Sequence, residues 1–514
     1  MRTFIASRLS VLLASFVAVL VGVAGAAAPA YANGGAPAPG SAGLGDRLYP
    51  LLGNGGYDVQ DYNLRVRYPR KDPKQTVIGD VTIMAVATQN LSRFNLDFGG
   101  DSVGGVTVNG SRARFSRSGD ELVITPRHYL KRGKRFWVTV SDYKTTPIEA
   151  NADSPAGFVT TTDGTFMAGQ PDESHNYFPS NDHPRDMATY TITLTAPAGW
   201  IGVANGRHLG DRRHGGYVSS VYRESKPMAS ELIQAAVGDF VVHTRPPVAG
   251  VPIRDVVPRR LAAELLPKAE VERSQLAWMI GKVGRYPFEN YGSLVVDTDL
   301  GFALETQTLS LYDTALFAAP KFVLDPIAAH ELAHMWFGDS VAPASWSDVW
   351  QNEGHATWYE LIYADETGIF SDYTGEPDLE SYFKAVYARG DVYRARYGPV
   401  AHPLRSDSIW DVFNPNVYDG GALVLYALRH KIGARDFQLL ERAWVALNRG
   451  KSVSTGDFIA LASRISGQNL RGFLGDWLYG AKTPPMPGHP DWTVTPATAA
   501  ASARVLSSAP ARHR

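Results

Sequence analysis

The chain has 514 residues, of which 44% are hydrophobic, 20% charged and 11% aromatic; this excludes a disordered chain and leaves length for more than one buried core. Its 50 Lys and Arg nearly balance 51 Asp and Glu, giving a formal net charge of −1, so no basic footprint for phosphate backbones is present and no nucleic-acid partner is expected. With no cysteine, disulfides, thiolate metal sites and cysteine nucleophiles are excluded, and any metal must be held by His, Asp or Glu.

At the N-terminus, Arg2 and Arg8 precede an apolar stretch from Leu9 to Ala28, and Pro29-Ala30-Tyr31-Ala32 offers an A-x-A cleavage site. This pattern predicts a secretory signal peptide over 1–32, cleaved after Ala32, and an extracellular protein with no stable membrane anchor. Residues 33–44, rich in Gly, Ala and Pro, read as a flexible leader.

From Tyr57 to about Val242 the dominant period is two. Tyr62, Leu64, Val66 and Tyr68 alternate with polar partners, and Tyr190, Ile192 and Leu194 alternate with threonines. Further β-rich runs lie at Val81–Ile83, Leu122–Ile124 and Phe136–Val140. Separated by Gly, Asn and Asp turn signals, they predict an antiparallel sandwich or saddle over 45–245. Leu261–Val283 is rich in helix formers and opens a mainly helical second domain, expected over 246–490. It continues with a short strand at Ser293–Val296 and helices near 326–337, 347–367, 378–388, 420–432, 436–448 and 455–480, followed by a C-terminal tail over 491–514, of which 496–514, rich in Ala, Ser and Arg, reads as frayed.

Within the second domain lies His330-Glu331-Leu332-Ala333-His334, with Asp325 and Pro326 suited to cap the start of a helix. Residues four apart share one helical face, so both imidazoles can reach a single ion with Glu331 beside them. Eighteen residues intervene before Glu353, in a stretch that reads as a second helix, and its carboxylate can complete a His/His/Glu set. The motif plus a carboxylate at one fixed distance arises by chance in roughly one sequence in a thousand. Three ligands leave a position open for water, the arrangement of a catalytic rather than a structural zinc site. Glu331, adjacent to a ligand but not one itself, suits a general base that takes a proton from water and returns it to a leaving amine.

This combination, with Asn352-Glu353-Gly354, resembles the aminopeptidase N family of gluzincin zinc metallopeptidases over approximately 50–490. The resemblance implies a thermolysin-like catalytic domain, one Zn2+ per chain, and peptides with a free N-terminus as substrates. Phe302-Ala303-Leu304-Glu305-Thr306 is similar to the family's Gly-Ala-Met-Glu-Asn loop and retains the Glu that grips the substrate ammonium, which makes Glu305 the anchor for exopeptidase action. Gly169–Gly206 resembles the family's approach to the active-site edge and implies Gln170 as a second amine contact. Tyr418-Asp419-Gly420-Gly421-Ala422 resembles the segment that bears the family's oxyanion-stabilising tyrosine, which precedes a helix, with Gly420 in place of a basic residue. Long family members add a large helical C-terminal domain over the cleft; a chain ending soon after the catalytic domain implies a more open site. Asp339 and Glu360 are candidates to orient the imidazoles. Trp336, Phe337, Trp346, Trp350 and Trp358 are expected in the core, and His355 is expected to be structural or exposed. Three rivals stay open: an endopeptidase with the same zinc chemistry, an epoxide hydrolase, and a non-catalytic binding protein that holds zinc structurally.

Overall fold

The strand Tyr57–Arg67 shows how alternation becomes a sheet. Tyr57 and Val59 are buried, and then Tyr62, Leu64 and Val66; the change of phase coincides with a register shift between Val59 and Asp61 against Val77–Ala87, a bulge that re-aims the strand by one residue. This strand is central to an eight-stranded sheet whose order runs Arg207–His214, Tyr217–Met228, Ala188–Pro197, Tyr57–Arg67, Val77–Ala87, Arg135–Thr145, Gly105–Val108, Ser111–Arg112. The computed structural model describes residues 35–150 and 156–495. The expected signal peptide and the end of the tail, 496–514, lie outside them.

Pairing in the large sheet is antiparallel except at its centre, where Thr189–Thr195 runs parallel to Asp61–Arg67 and Tyr62 stacks on Tyr190 at 4.8 Å. A five-stranded sheet contains Gly157–Thr160, Gly164–Ala168 and Ala235–Gly238, all of whose residues are buried. The inner faces of these sheets share one apolar core.

A third sheet links the strand-rich and helical parts. Phe240–Val248 and Val251–Pro258 form a hairpin, and Ser293–Val296 and Ser310–Asp313 add in parallel. The hairpin turns on Ala249 and Gly250, both at positive φ, as a two-residue primed turn requires. The domain boundary expected at 245/246 therefore falls inside a strand. Val256, Leu294 and Val296 pack into the β core, whereas Val251 and Ile253 join the helical core.

The helices differ from expectation mainly at their ends. Leu261–Val283 is divided at Pro267, and its regular helix is Val271–Val283. The helix expected from 326 begins at Lys321, so Asp325 and Pro326 lie inside it rather than capping it; Pro326 merely lacks the N–H that would reach back one turn. The segment 455–480 is two helices, Thr455–Ser466 and Arg471–Tyr479, parted by Gly467 in the left-handed region. The leader expected to be flexible is tied down in part, Ala38–Pro39 pairing with the strand Leu91–Asp97, and Trp492, at the start of the tail, is 6% exposed in the helical core. Among the described residues, no helix is long and apolar enough to cross a membrane.

Candidate active site

Three helices assemble the site. The first, Lys321–His334, carries His330, Glu331 and His334 on a buried face. The second, Trp350–Glu366, places Glu353 in its first turn, where the helix dipole favours a carboxylate. The third, Pro415–Ile432, starts from Asn414, whose side chain accepts from Asn416 N at 2.9 Å and Val417 N at 3.3 Å. Tyr418 thus lies within the first turn of this helix rather than ahead of it. The second and third helices meet at Gly354 and Gly421, where a Cβ on either residue would stand 2.9 Å from backbone atoms of the other. Glycine at both positions permits the close approach that brings Glu353 and Tyr418 to one cavity. Gly420, in place of a basic residue, makes room for Asn416: a Cβ there would lie 2.3 Å from Asn416 Oδ1.

The cavity has a volume of about 480 Å3, and His330, Glu331, His334, Glu353, Glu305, Gln170 and Tyr418 all line it. Every site residue expected from the sequence is therefore brought to one place. Glu353 Oε2 lies 3.3 Å from His330 Nε2 and 3.4 Å from His334 Nε2. Bonds of about 2.1 Å in a tetrahedron separate ligand atoms by about 3.4 Å, so these spacings fit a zinc ion. The other nitrogen of each ring is engaged elsewhere: His330 Nδ1 donates to Glu360 Oε2 at 2.8 Å, and His334 Nδ1 to the Phe337 carbonyl at 3.1 Å, which fixes the rings with Nε2 facing the shared point. The second contact needs the sharp turn after His334, where Gly338 takes φ 131°.

Charge in the cluster also suits a cation. Burial alone would raise the Glu353 pKa, but His334 and His330 draw it down to about 2. Burial opposes a charged His330, yet its bonds to Glu353 and Glu360 lift it to about 9. Without an ion, the carboxylates thus hold protons on the imidazoles, and a dication replaces those protons. Burial pushes Glu331 up to about 8, and its Oε2 has no hydrogen-bond partner among the described residues.

Beyond the metal cluster, Gln170 Nε2 donates to Glu305 Oε1 at 2.8 Å, joining the β domain to the loop that precedes Ser310–Asp313. The Tyr418 ring stacks over His330 at 5.9 Å, and burial keeps its hydroxyl protonated far above the ordinary range.

Of the two candidates to orient the imidazoles, Glu360 does so and Asp339 does not. Asp339 is buried, both its oxygens without a hydrogen-bond partner among the described residues, and the backbone of Phe337 takes the place expected for it. His355 is structural and fully buried, bonded to the Gln351 carbonyl at 2.6 Å. The four tryptophans and Phe337 are core residues and none lines the cavity. Its aromatic wall comes instead from Phe302 and Trp410, edge to face at 6.4 Å, and from Phe413 and Tyr373. The Tyr373 hydroxyl donates to Glu360 Oε1 at 2.5 Å. Phe302 opens the loop that carries Glu305, whereas nothing in the sequence around Trp410, Phe413 and Tyr373 marked them.

Comparison with known proteins agrees with this geometry. Residues 277–477 match the Peptidase family M1 domain. Aminopeptidase A of Gloydius brevicauda is 24% identical over 350 residues, 63% of this chain and 36% of that protein. Aminopeptidase M1-A of Oryza sativa is 26% identical over 325 residues, 60% of this chain and 36% of that protein. The chain thus spans about a third of the length of these curated relatives. Among solved structures, the M1 zinc metallopeptidase of Deinococcus radiodurans superposes with a TM-score of 0.75 at 29% identity, covering 87% of this chain and 99% of that one. A mutant of the Deinococcus protein has been solved with the substrate Tyr-Ser-Ala. Ligand spacing, two-part architecture and matched domain together identify a Peptidase family M1 domain at residues 277–477 and make the chain similar to the aminopeptidase N type of gluzincins.

Proposed function

We propose that the protein is a secreted zinc aminopeptidase that removes residues from the free N-terminus of peptides. His330, His334 and Glu353 would hold one zinc ion, which when bound supplies Lewis-acid polarisation of water and the scissile carbonyl. Glu331 accepts the proton of the attacking water and passes it to the departing amine. The Tyr418 hydroxyl donates a hydrogen bond to the oxygen on which negative charge develops. Glu305, steadied by Gln170, receives the substrate ammonium, a charge-assisted contact that a blocked N-terminus cannot make.

The observation that carries this reading is the Gln170–Glu305 pair in the same cavity as the metal cluster. An endopeptidase has no use for a buried carboxylate anchor beside its scissile position, and the tripeptide held by the Deinococcus relative supports a peptide substrate. Secretion is supported by Arg2, Arg8, the apolar stretch and the A-x-A site. The test is hydrolysis of a short peptide against its N-acetylated form: an aminopeptidase loses nearly all turnover on acetylation, whereas equal cleavage of both would make the protein an endopeptidase. Sequencing the N-terminus of the exported protein tests cleavage after Ala32.

A further inference from the structure

We infer that the cavity holds a second, weaker divalent-cation site on Glu305 and Glu331, and that filling it excludes the substrate's N-terminus. The inference rests on the reading above, because it gives these two carboxylates a role when metal is in excess. Glu305, Glu331 and His334 each offer a ligand atom, and these atoms lie within 4.8 Å of one another. The group is distinct from the one completed by Glu353. Its members are 3%, 5% and 1% exposed. Both carboxylates line the cavity, and Glu331 Oε2 is buried there without a hydrogen-bond partner. Among the described residues no Lys or Arg lines the cavity; Gln170 donates to Glu305 and His334 Nδ1 stands 3.8 Å from it, but the imidazole gives up its charge when the first ion binds, which leaves the two buried carboxylates to a second cation.

The order of filling follows from the donors. His334 belongs to both groups, but its Nε2 faces Glu353 and its Nδ1 donates to the Phe337 carbonyl. Once the first ion is in place, only the two carboxylates remain for a second, and fewer donors give weaker binding. A cation there takes the oxygens that would accept the water proton and the ammonium. The second ion and a bound amine therefore exclude each other, and by linkage each weakens the other by the same factor.

Equilibrium dialysis of the zinc-loaded full chain at fixed free zinc tests this without reference to turnover. Wild type should bind one tight equivalent and a second at higher zinc. Glu305→Gln should keep the first and weaken the second by about tenfold or more. Isoamylamine, an ammonium with a leucine-like side chain and no chelating carboxylate, should displace the second equivalent from unmodified wild type, which removes any dependence on how the variant folds. Saturation at one equivalent up to millimolar zinc overturns the inference and leaves the proposed function standing. So does a second equivalent indifferent to both Glu305→Gln and isoamylamine. Absence of the first equivalent removes the zinc reading itself.

Discussion

Replacing Gly354 by alanine tests whether the contact between the second and third helices sets the site. The new methyl would lie 2.9 Å from both Cα and the carbonyl carbon of Gly421 and 3.3 Å from Ala422 N, about 0.6 Å inside the closest comfortable carbon–carbon distance. These neighbours are backbone, so no rotamer change relieves the contact and the helices must part. Alanine gains about 1 kcal/mol over glycine in helix propensity, while overpacking costs about 1–3 kcal/mol, so the net loss of stability is about 0–2 kcal/mol. The effect on chemistry is larger, because Tyr418 rides on the displaced helix and a misplacement of this order lowers turnover by up to about a hundredfold. Gly475, also helical but with nothing within 4 Å of its would-be Cβ, is the control: Gly475→Ala should stabilise by up to about 1 kcal/mol with turnover unchanged. The assay pairs a denaturant titration with kcat on a free-amine substrate. If Gly354→Ala matches the control in both, the close approach does not position Tyr418.

In Glu331→Gln, turnover should vanish while bound zinc persists by metal analysis; normal turnover in the zinc-loaded variant would remove Glu331 from the proton transfers. Gly338→Ala forces a side chain into φ 131° with its Cβ 3.2 Å from Asn352 Nδ2 and 3.3 Å from His334 Nδ1. It should weaken zinc binding by about tenfold or more through the lost Phe337 carbonyl contact, read as faster loss of metal to a chelator. A third prediction concerns pH. Burial pulls the His175 pKa down, but its bond to Asp182 and the carboxylates of Asp97 and Asp172 outweigh that and raise it from 6.5 to about 9. The folded value exceeds the unfolded one, so this stabilisation is complete below pH 6.5 and disappears as pH rises through about 9. Denaturant midpoints should fall across that window, and His175→Gln should flatten the slope by roughly one proton; an unchanged slope would contradict the assignment.

What was legible in the sequence follows from the range of the physics involved. The His330–His334 clamp is a one-turn relation on one helix, and Glu353 follows at a fixed distance on the next, so local periodicity sufficed for both. Glu305, Gln170 and Tyr418 come from three separate segments, and only resemblance to a family brought them to the site. Tertiary pairings were not legible. The bulge that rephases Tyr57–Arg67 depends on its neighbour's register, and the parallel contact of Thr189–Thr195 with Asp61–Arg67 joins segments more than a hundred residues apart. The hairpin across the expected domain boundary was hidden because Pro246 and Pro247 look like a linker, although they lie in Phe240–Val248, where the register shifts between Arg245 and Val248. Phe337 contributes a backbone carbonyl, which no side-chain pattern announces. The extra turn ahead of Asp325 was missed because Asp-Pro is so strong a start signal, while burial of Leu324, Asp325 and Pro326 holds that turn in place.

Zinc analysis of the purified protein and of its His330→Ala and Glu353→Ala variants bears most directly on the convergence of two imidazoles and one carboxylate upon a single ion. One tight equivalent in wild type, lost from both variants while their circular dichroism is unchanged, is the predicted result. Zinc retained at full stoichiometry by either variant, or absent from the wild type, would contradict it.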